Sequence, residues 1–424
     1  MSRVSTLIIA ILFNAMTAIA QPKEDSRDFT VGGYGEATYS YNFFSNNPYR
    51  YMYPDRYRNQ SGNAQFDLPH VVIMLGKEFG KGWSMGTEME FEHGGVEASI
   101  EVEGDEAIEI EHEIERGGEV FLEQFWIQKS FSESLNARAG MIIVPVGLIN
   151  TRHEPDKFFT VFRQEGETTI LPSTWHQIGV SLWGRIGNWR YEAQLLPGLN
   201  YRLFSNSGWI SGASASPYEY TVGNRLAAAV RIDNYSISNL RLGVSGYAGG
   251  VNNDAFPTSV SSNGKVTKGV DGTVFVATAD YEYKGKHVVS RGNADFGYLE
   301  NAAAIGTSNK NSDNSTFSPY QHSFVGKNAF ALGTETGVDL LSFKGNPEER
   351  LFLFGRYEYY DSYVPSKGQT DYLWTDCSRI AAGINYQPIS QVIIKAEFSE
   401  RILRSRYNNE PSVRIGICYT GFFN

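Results

Sequence analysis

Cysteine is almost missing from this chain: Cys377 and Cys418 are the two in 424 residues. Two cysteines cannot build a disulfide framework, and their strand positions imply an awkward vertical offset, so both are expected as free thiols. Positive charge is also short, with 37 Lys+Arg against 47 Asp+Glu and a net charge of −10. That balance excludes a nucleic-acid partner, which needs a basic face. After residue 20 no apolar run approaches the roughly 18 residues of a spanning helix, which excludes an α-helical membrane protein. A β-barrel is not excluded, because its strands alternate and barely register on hydropathy. Seven histidines stand at 70, 93, 112, 153, 176, 287 and 322 without His-x-x-x-His or His-Glu-x-x-His spacing. No metal site and no cofactor are therefore expected. A Gly-x-Ser-x-Gly elbow is absent, and His176 with Ser173 is the one nearby His–Ser pair, so an enzyme is not expected.

What is present begins with a processing segment. Met1-Ser2-Arg3 is basic, Thr6 to Ala18 is mostly apolar, and Ala18-Ile19-Ala20 is a small-x-small cleavage site. This reads as a secretory signal peptide over 1–20. Residues 21–424 are then one exported domain.

That domain alternates with period two nearly throughout. Trp83-Met85-Thr87-Met89-Phe91 interleaves with Ser84-Gly86-Glu88-Glu90-Glu92, and Val413-Ile415-Ile417-Tyr419 with Ser412-Arg414-Gly416-Cys418. Such alternation predicts half-buried strands. Sixteen are expected: 29–43, 65–79, 83–93, 119–131, 135–145, 175–186, 189–197, 222–232, 237–248, 270–283, 287–299, 329–341, 351–361, 378–387, 390–400 and 412–422. The gaps alternate long and short, which marks an up-and-down meander with unequal ends. The fold class is thus all-β: a transmembrane antiparallel barrel of about 16 strands, with short turns in the periplasm and long outer loops. A soluble sandwich or propeller would show the same periodicity, with the apolar face inward. Export, the loop pattern and aromatics at strand ends (Tyr39, Tyr41, Phe43, Tyr281, Tyr283, Tyr357, Tyr359, Phe422 and Phe423) favour the barrel.

A sixteen-stranded barrel is wide enough for an aqueous channel. With the apolar parity toward lipid, the lumen carries Arg138, Arg185, Arg190, Arg225, Arg231, Arg241, Arg291, Arg356, Lys395 and Arg414. Glu88, Glu90, Glu192, Asp280, Glu282, Asp295, Glu358 and Glu397 share that parity. Mixed signs leave anion, cation and neutral preference open. The gap 146–174 combines charge with large aromatics and has few turn residues. Its Phe and Ile side chains need burial, and the lumen is the available interior, so this third outer loop is expected to fold inward as a constriction. Arg152, Glu154, Asp156, Lys157, Arg163, Glu165 and Glu167 are its candidate filter residues.

Pro145-Val-Gly-Leu-Ile-Asn, His153-Glu-Pro, Phe158-Phe, Glu167-Thr-Thr-Ile-Leu-Pro-Ser-Thr-Trp-His176 and Ile178-Gly179 carry a resemblance. Across about 119–180 the chain resembles the porins of Bacteroidota grouped near the phosphate-selective porins O and P. The resemblance implies a sixteen-stranded outer-membrane porin, a homotrimer, with an inward third loop. It also implies basic residues at the eyelet, and there the chain departs: Arg152, Lys157 and Arg163 stand against four carboxylates, with no lysine cluster.

The second outer loop is acidic, from Glu101 to Glu115, with Ile100-Val102 and Ile108-Ile110 alternating as in a hairpin. It lacks EF-hand spacing, and a solvated face is the simpler reading. The expected function is passive diffusion of small hydrophilic solutes or inorganic ions across the bacterial outer membrane, among lipid and lipopolysaccharide. The alternative is a barrel-scaffolded surface adhesion or assembly protein with a plugged lumen.

Overall fold

A computed structural model describes residues 29–94, 100–104, 110–114, 119–215, 220–251, 258–260, 266–311, 323–345 and 348–422. The segment 1–20, together with Phe423 and Asn424, lies outside the described residues, as does much of the acidic loop. Among the described residues no helix is long and apolar enough to cross a membrane.

The first strand, β1 (Phe29–Asn42), faces a broken second strand, β2, made of Asn63–Asp67 and His70–Gly80. The break falls at Leu68-Pro69, where proline has no N–H to give to the ladder. Then follow β3 (Trp83–Glu92), β4 (Glu119–Ser132), β5 (Leu135–Ile143), β6 (His176–Ile186) and β7 (Trp189–Pro197). The second half comprises β8 (Leu226–Ile237), β9 (Leu240–Gly250), β10 (Thr273–Lys284), β11 (Val288–Leu299) and β12 (Asn328–Asp339). It ends with β13 (Arg350–Val364), β14 (Asp376–Ile389), β15 (Val392–Leu403) and β16 (Glu410–Phe422). Each strand pairs antiparallel with its neighbours in sequence, and β1 pairs with β16 from Gly32↔Phe422 to Asn42↔Ser412. The sheet therefore closes on itself as a sixteen-stranded barrel with no free edge.

The short turns sit at one end. Gly80, Lys81 and Gly82 all have positive φ, which is why glycines flank the lysine. The turn expected at 233–236 falls instead at 238–239, because β8 runs on to Ile237. At the opposite end Ile100–Gly104 pairs with Ile110–Ile114 as a separate hairpin.

Burial settles which way the faces point. Ile178, Val180, Val230 and Ile417 are each about half exposed, while Glu90 and Glu358 are 0% exposed. Apolar side chains outside and charges inside is the inverse of a water-soluble fold, and it suits a surface solvated by lipid. Cys377 and Cys418 are buried free thiols.

Candidate functional site

The segment between β5 and β6 packs against the inward face of β11 to β16. Its path is Pro155–Lys157, one turn of 3-10 helix, then α1 (Glu165–Ile170). The wall receives it through carboxylates that accept its backbone amides. Phe159 N–H donates to Glu335 at 3.2 Å, Val161 N–H to Glu397 at 2.8 Å, and Gly166 N–H to Glu358 at 2.8 Å. Lys395 works in the opposite sense, donating Nζ to the carbonyls of Pro155, Phe158 and Thr160 at 2.6, 2.9 and 2.9 Å. Small inward residues on β12 make room for it. A Cβ on Gly337 would lie 2.4 Å from the Phe159 ring, and one on Gly333 would lie 1.8 Å from Gln164 Nε2.

Two of the segment's carboxylates are anchors rather than free charges. Glu167 accepts N–H bonds from Leu148, Ile149 and Asn150 at 2.9, 2.7 and 3.2 Å, and an amide hydrogen from Asn293 at 3.1 Å. Burial pushes its carboxyl up to about 7, although backbone donors such as Leu148 oppose the shift. Gly147 has φ +84, and a Cβ there would lie 2.3 Å from Glu167 Oε1. Glu165 is paired with Arg379 and Arg401 and accepts from the Tyr360 hydroxyl. Burial would raise its carboxyl, but the two guanidiniums outweigh it and hold it down to about 2.

Below the segment, toward the short-turn end, lies a cavity of about 740 Å³. Of the expected loop residues, Arg152, Glu154 and Lys157 line it. Arg152 pairs with Glu282, and Lys157 with Asp156 at 2.5 Å. Arg163 is turned back, its Nε donating to the His153 carbonyl at 3.0 Å.

Of the expected wall residues, Arg138, Arg185, Arg190, Arg231 and Arg241 line the cavity. Arg190 pairs with Glu192 at 2.5 Å. Arg231 and Arg241 share Asp233 and Asp280 at 2.6–3.0 Å. Arg138 meets a neutral acceptor, Gln128 Oε1, at 3.0 Å and lies 4.4 Å over the Trp126 ring. Arg185 lies 5.2 Å from the Tyr235 ring and is in no ion pair with a described residue.

The other four wall residues stand elsewhere. Arg291 is covered, pairing with Glu335 at 2.9 Å beneath the Phe159 ring. Lys395 lies under the segment's carbonyls. Arg414 pairs with Glu397 at 3.2 Å and faces the Phe162 ring. Arg225 corrects the pore-lining expectation: β8 begins only at Leu226, and Arg225 is half exposed at the long-loop end, paired with Asp271 at 2.6 Å. Glu335, Arg379 and Arg401 escaped sequence reasoning. The one signal near Glu335 was the run of small residues sharing its face, Ala329, Ala331, Gly333 and Gly337.

No known family profile matches the chain. An uncharacterized protein of Aquifex aeolicus (strain VF5) is 27% identical over 387 residues, covering 90% of this chain and 77% of its own length. Among solved structures the chain is similar to the anion-selective porin from Comamonas acidovorans, with TM-score 0.51 and 10% identity over 93% of this chain and 100% of that one. It is also similar to OmpF of Salmonella typhi in complex with daunomycin (TM-score 0.53, 10% identity, 95% and 100% covered). A third likeness is the outer membrane channel DcaP of Acinetobacter baumannii (TM-score 0.51, 10% identity, 95% and 99% covered). The fold is that of the sixteen-stranded outer-membrane porins, and with its apolar belt it places the chain in the bacterial outer membrane.

Proposed function

We propose that this protein is an outer-membrane porin, a passive channel rather than an enzyme, through which small hydrophilic solutes or ions diffuse past the β5–β6 segment. The observation that carries the reading is the cavity of about 740 Å³ beneath that segment, into which charged side chains of the wall project. Basic residues outnumber acidic ones in its lining, and Arg138 and Arg185 lack a carboxylate partner among the described residues. Uncompensated guanidiniums in a confined lumen favour anions, since charged rings and ladders set ion preference. The motifs across about 119–180 support kinship with the porins near the phosphate-selective O and P group of Bacteroidota. The same resemblance is the ground for a homotrimer. The missing lysine cluster argues against phosphate selectivity within that kinship. The test is conductance in a planar bilayer under a salt gradient. Discrete steps with an anion-selective reversal potential support the reading, and a silent bilayer with a folded barrel overturns it.

A second reading, a plugged barrel serving as a surface platform, has one observation in its favour. Leu199, Trp209, Ile210, Ile305 and Val325, from long loops at the outer end, are all buried in one apolar cluster. Trp209 Nε1 also donates to the Gly326 carbonyl at 3.1 Å, tying two of those loops together. The silent bilayer is the outcome this reading expects.

A further inference from the structure

We propose that His153, Glu88 and Glu123 form a divalent-metal site, suited to Zn²⁺, that ties the β5–β6 segment to the wall at β3 and β4. It is independent of the channel reading, because nothing in it requires an open pore.

The first observation is spacing. His153 Nε2 lies 3.5 Å from Glu123 Oε1 and 3.9 Å from Glu88 Oε1, and one ligand atom from each of the three falls within 4.8 Å of the others. Direct N–H···O bonds are shorter, at roughly 2.7–3.2 Å. Zinc bonds of about 2.0–2.2 Å to nitrogen and oxygen separate neighbouring ligand atoms by roughly 3–3.6 Å. The gap is too wide for a hydrogen bond and near what a shared ion requires.

The second observation is unsatisfied polarity. Glu123 is 0% exposed, and among the described residues the Thr174 side chain is the one donor that reaches its carboxylate, too few for two buried oxygens. Glu88 Oε1 and His153 Nε2 are also buried, and they face each other at 3.9 Å without a close hydrogen bond. Buried carboxylate oxygens short of donors are costly, and an ion would satisfy the remaining atoms at once.

The surrounding groups are set up as they would be around a metal. His153 Nδ1 lies 3.1 Å from the Asn150 carbonyl. Donation there places the proton on Nδ1 and leaves the Nε2 lone pair facing the carboxylates. Gln124 Nε2 donates to the other oxygen of Glu88. The pairing of β3 with β4 runs Glu88↔Gln124 and then Met89↔Leu122, so Glu123 is the extra residue of a β-bulge. Bulges re-aim side chains, and this one helps turn Glu123 inward beside Gln124. Glu88 and His153 both line the cavity, which provides a route for the ion. The neighbouring trio His70, Glu90 and Glu92 differs, since His70 Nδ1 is already 2.6 Å from Glu90 Oε1. One His with two carboxylates leaves a fourth position for water, and the imidazole favours Zn²⁺ over cations that take oxygen ligands alone.

The experiment uses the full folded barrel, stripped with chelator and re-equilibrated with Zn²⁺. Bound metal is counted after desalting, and the ligand shell is read by X-ray absorption. One zinc per chain with one nitrogen and otherwise oxygen neighbours is the expected result. Glu123→Gln and His153→Gln, with folding checked by heat-modifiable gel migration, should lose it. Gln124→Ala, which touches no metal, should weaken affinity by about 10–100-fold. An all-oxygen shell, no retained zinc in the wild type, or equal retention by folded Glu123→Gln overturns the proposal. The last would put the ion elsewhere. Wild-type spectroscopy decides the matter even where a variant fails to fold. Absence of zinc would leave a proton on His153 Nε2 as the bridge between the carboxylates.

Discussion

Lys395 Nζ lies 2.6 Å from the carbonyl oxygen of Pro155, a residue 240 positions earlier in the chain. One ammonium on β15 thereby holds three carbonyls of the β5–β6 segment, with the Phe158 ring centroid 4.0 Å away. A buried ammonium has three protons to place, and these three acceptors satisfy all of them.

Lys395→Met should loosen this segment without removing the barrel. Three buried carbonyls would lose their donor, each at a cost of about 1–3 kcal/mol. The expected result is a lower urea midpoint together with larger, noisier single-channel conductance. A variant with wild-type conductance and midpoint would show that the lysine does not anchor the segment.

The Glu165 anchor has a definite pH window. Its folded carboxyl is held at about 2, against roughly 4.3 in an unfolded chain. A depressed value stabilises the fold fully above the unfolded pKa, and the contribution disappears as pH falls through about 2. Acid-induced loosening below pH about 4 should therefore be steeper in the wild type than in Glu165→Gln, which lacks the titrating group. Equal acid profiles for the two proteins would remove Glu165 from the account.

Ion preference should respond to height as well as to sign. Arg138→Gln and Arg185→Gln each remove a cavity-facing charge without stranding a carboxylate partner. Both should shift the reversal potential toward cations. Arg225→Gln, at the outer end beside Asp271, should leave it unchanged. A shift from Arg225 equal to that from Arg185 would place the filter at the outer mouth instead.

The lipid face can be tested at Val230, near the middle of β8 and about half exposed. Val230→Arg should destabilise the barrel in a bilayer by about 2–4 kcal/mol, the range for a cation at mid-depth. Folding into liposomes across a urea series measures it. No destabilisation would mean that this face does not meet lipid.

Much of the architecture was legible in the residue order. Period-two alternation and the long–short rhythm of the gaps determined an even-stranded, closed meander, because both are local properties of one strand and its next turn. The burial needs of Phe158, Phe159 and Phe162 likewise marked 146–174 as a segment that must find an interior. Only the tertiary structure decided what each charge does. Parity assigns a side chain to a face but not to a height, so Arg225 shared the parity of the wall and still fell at the outer end. Parity also cannot say what covers a residue: Glu165, Glu167 and Lys395 became anchors because partners distant along the chain met them in a low-dielectric interior. The grouping of Glu88, Glu123 and His153 lay furthest from view. It depends on one bulge in the β3–β4 ladder and on a loop returning to the wall, and no spacing along the chain encodes either.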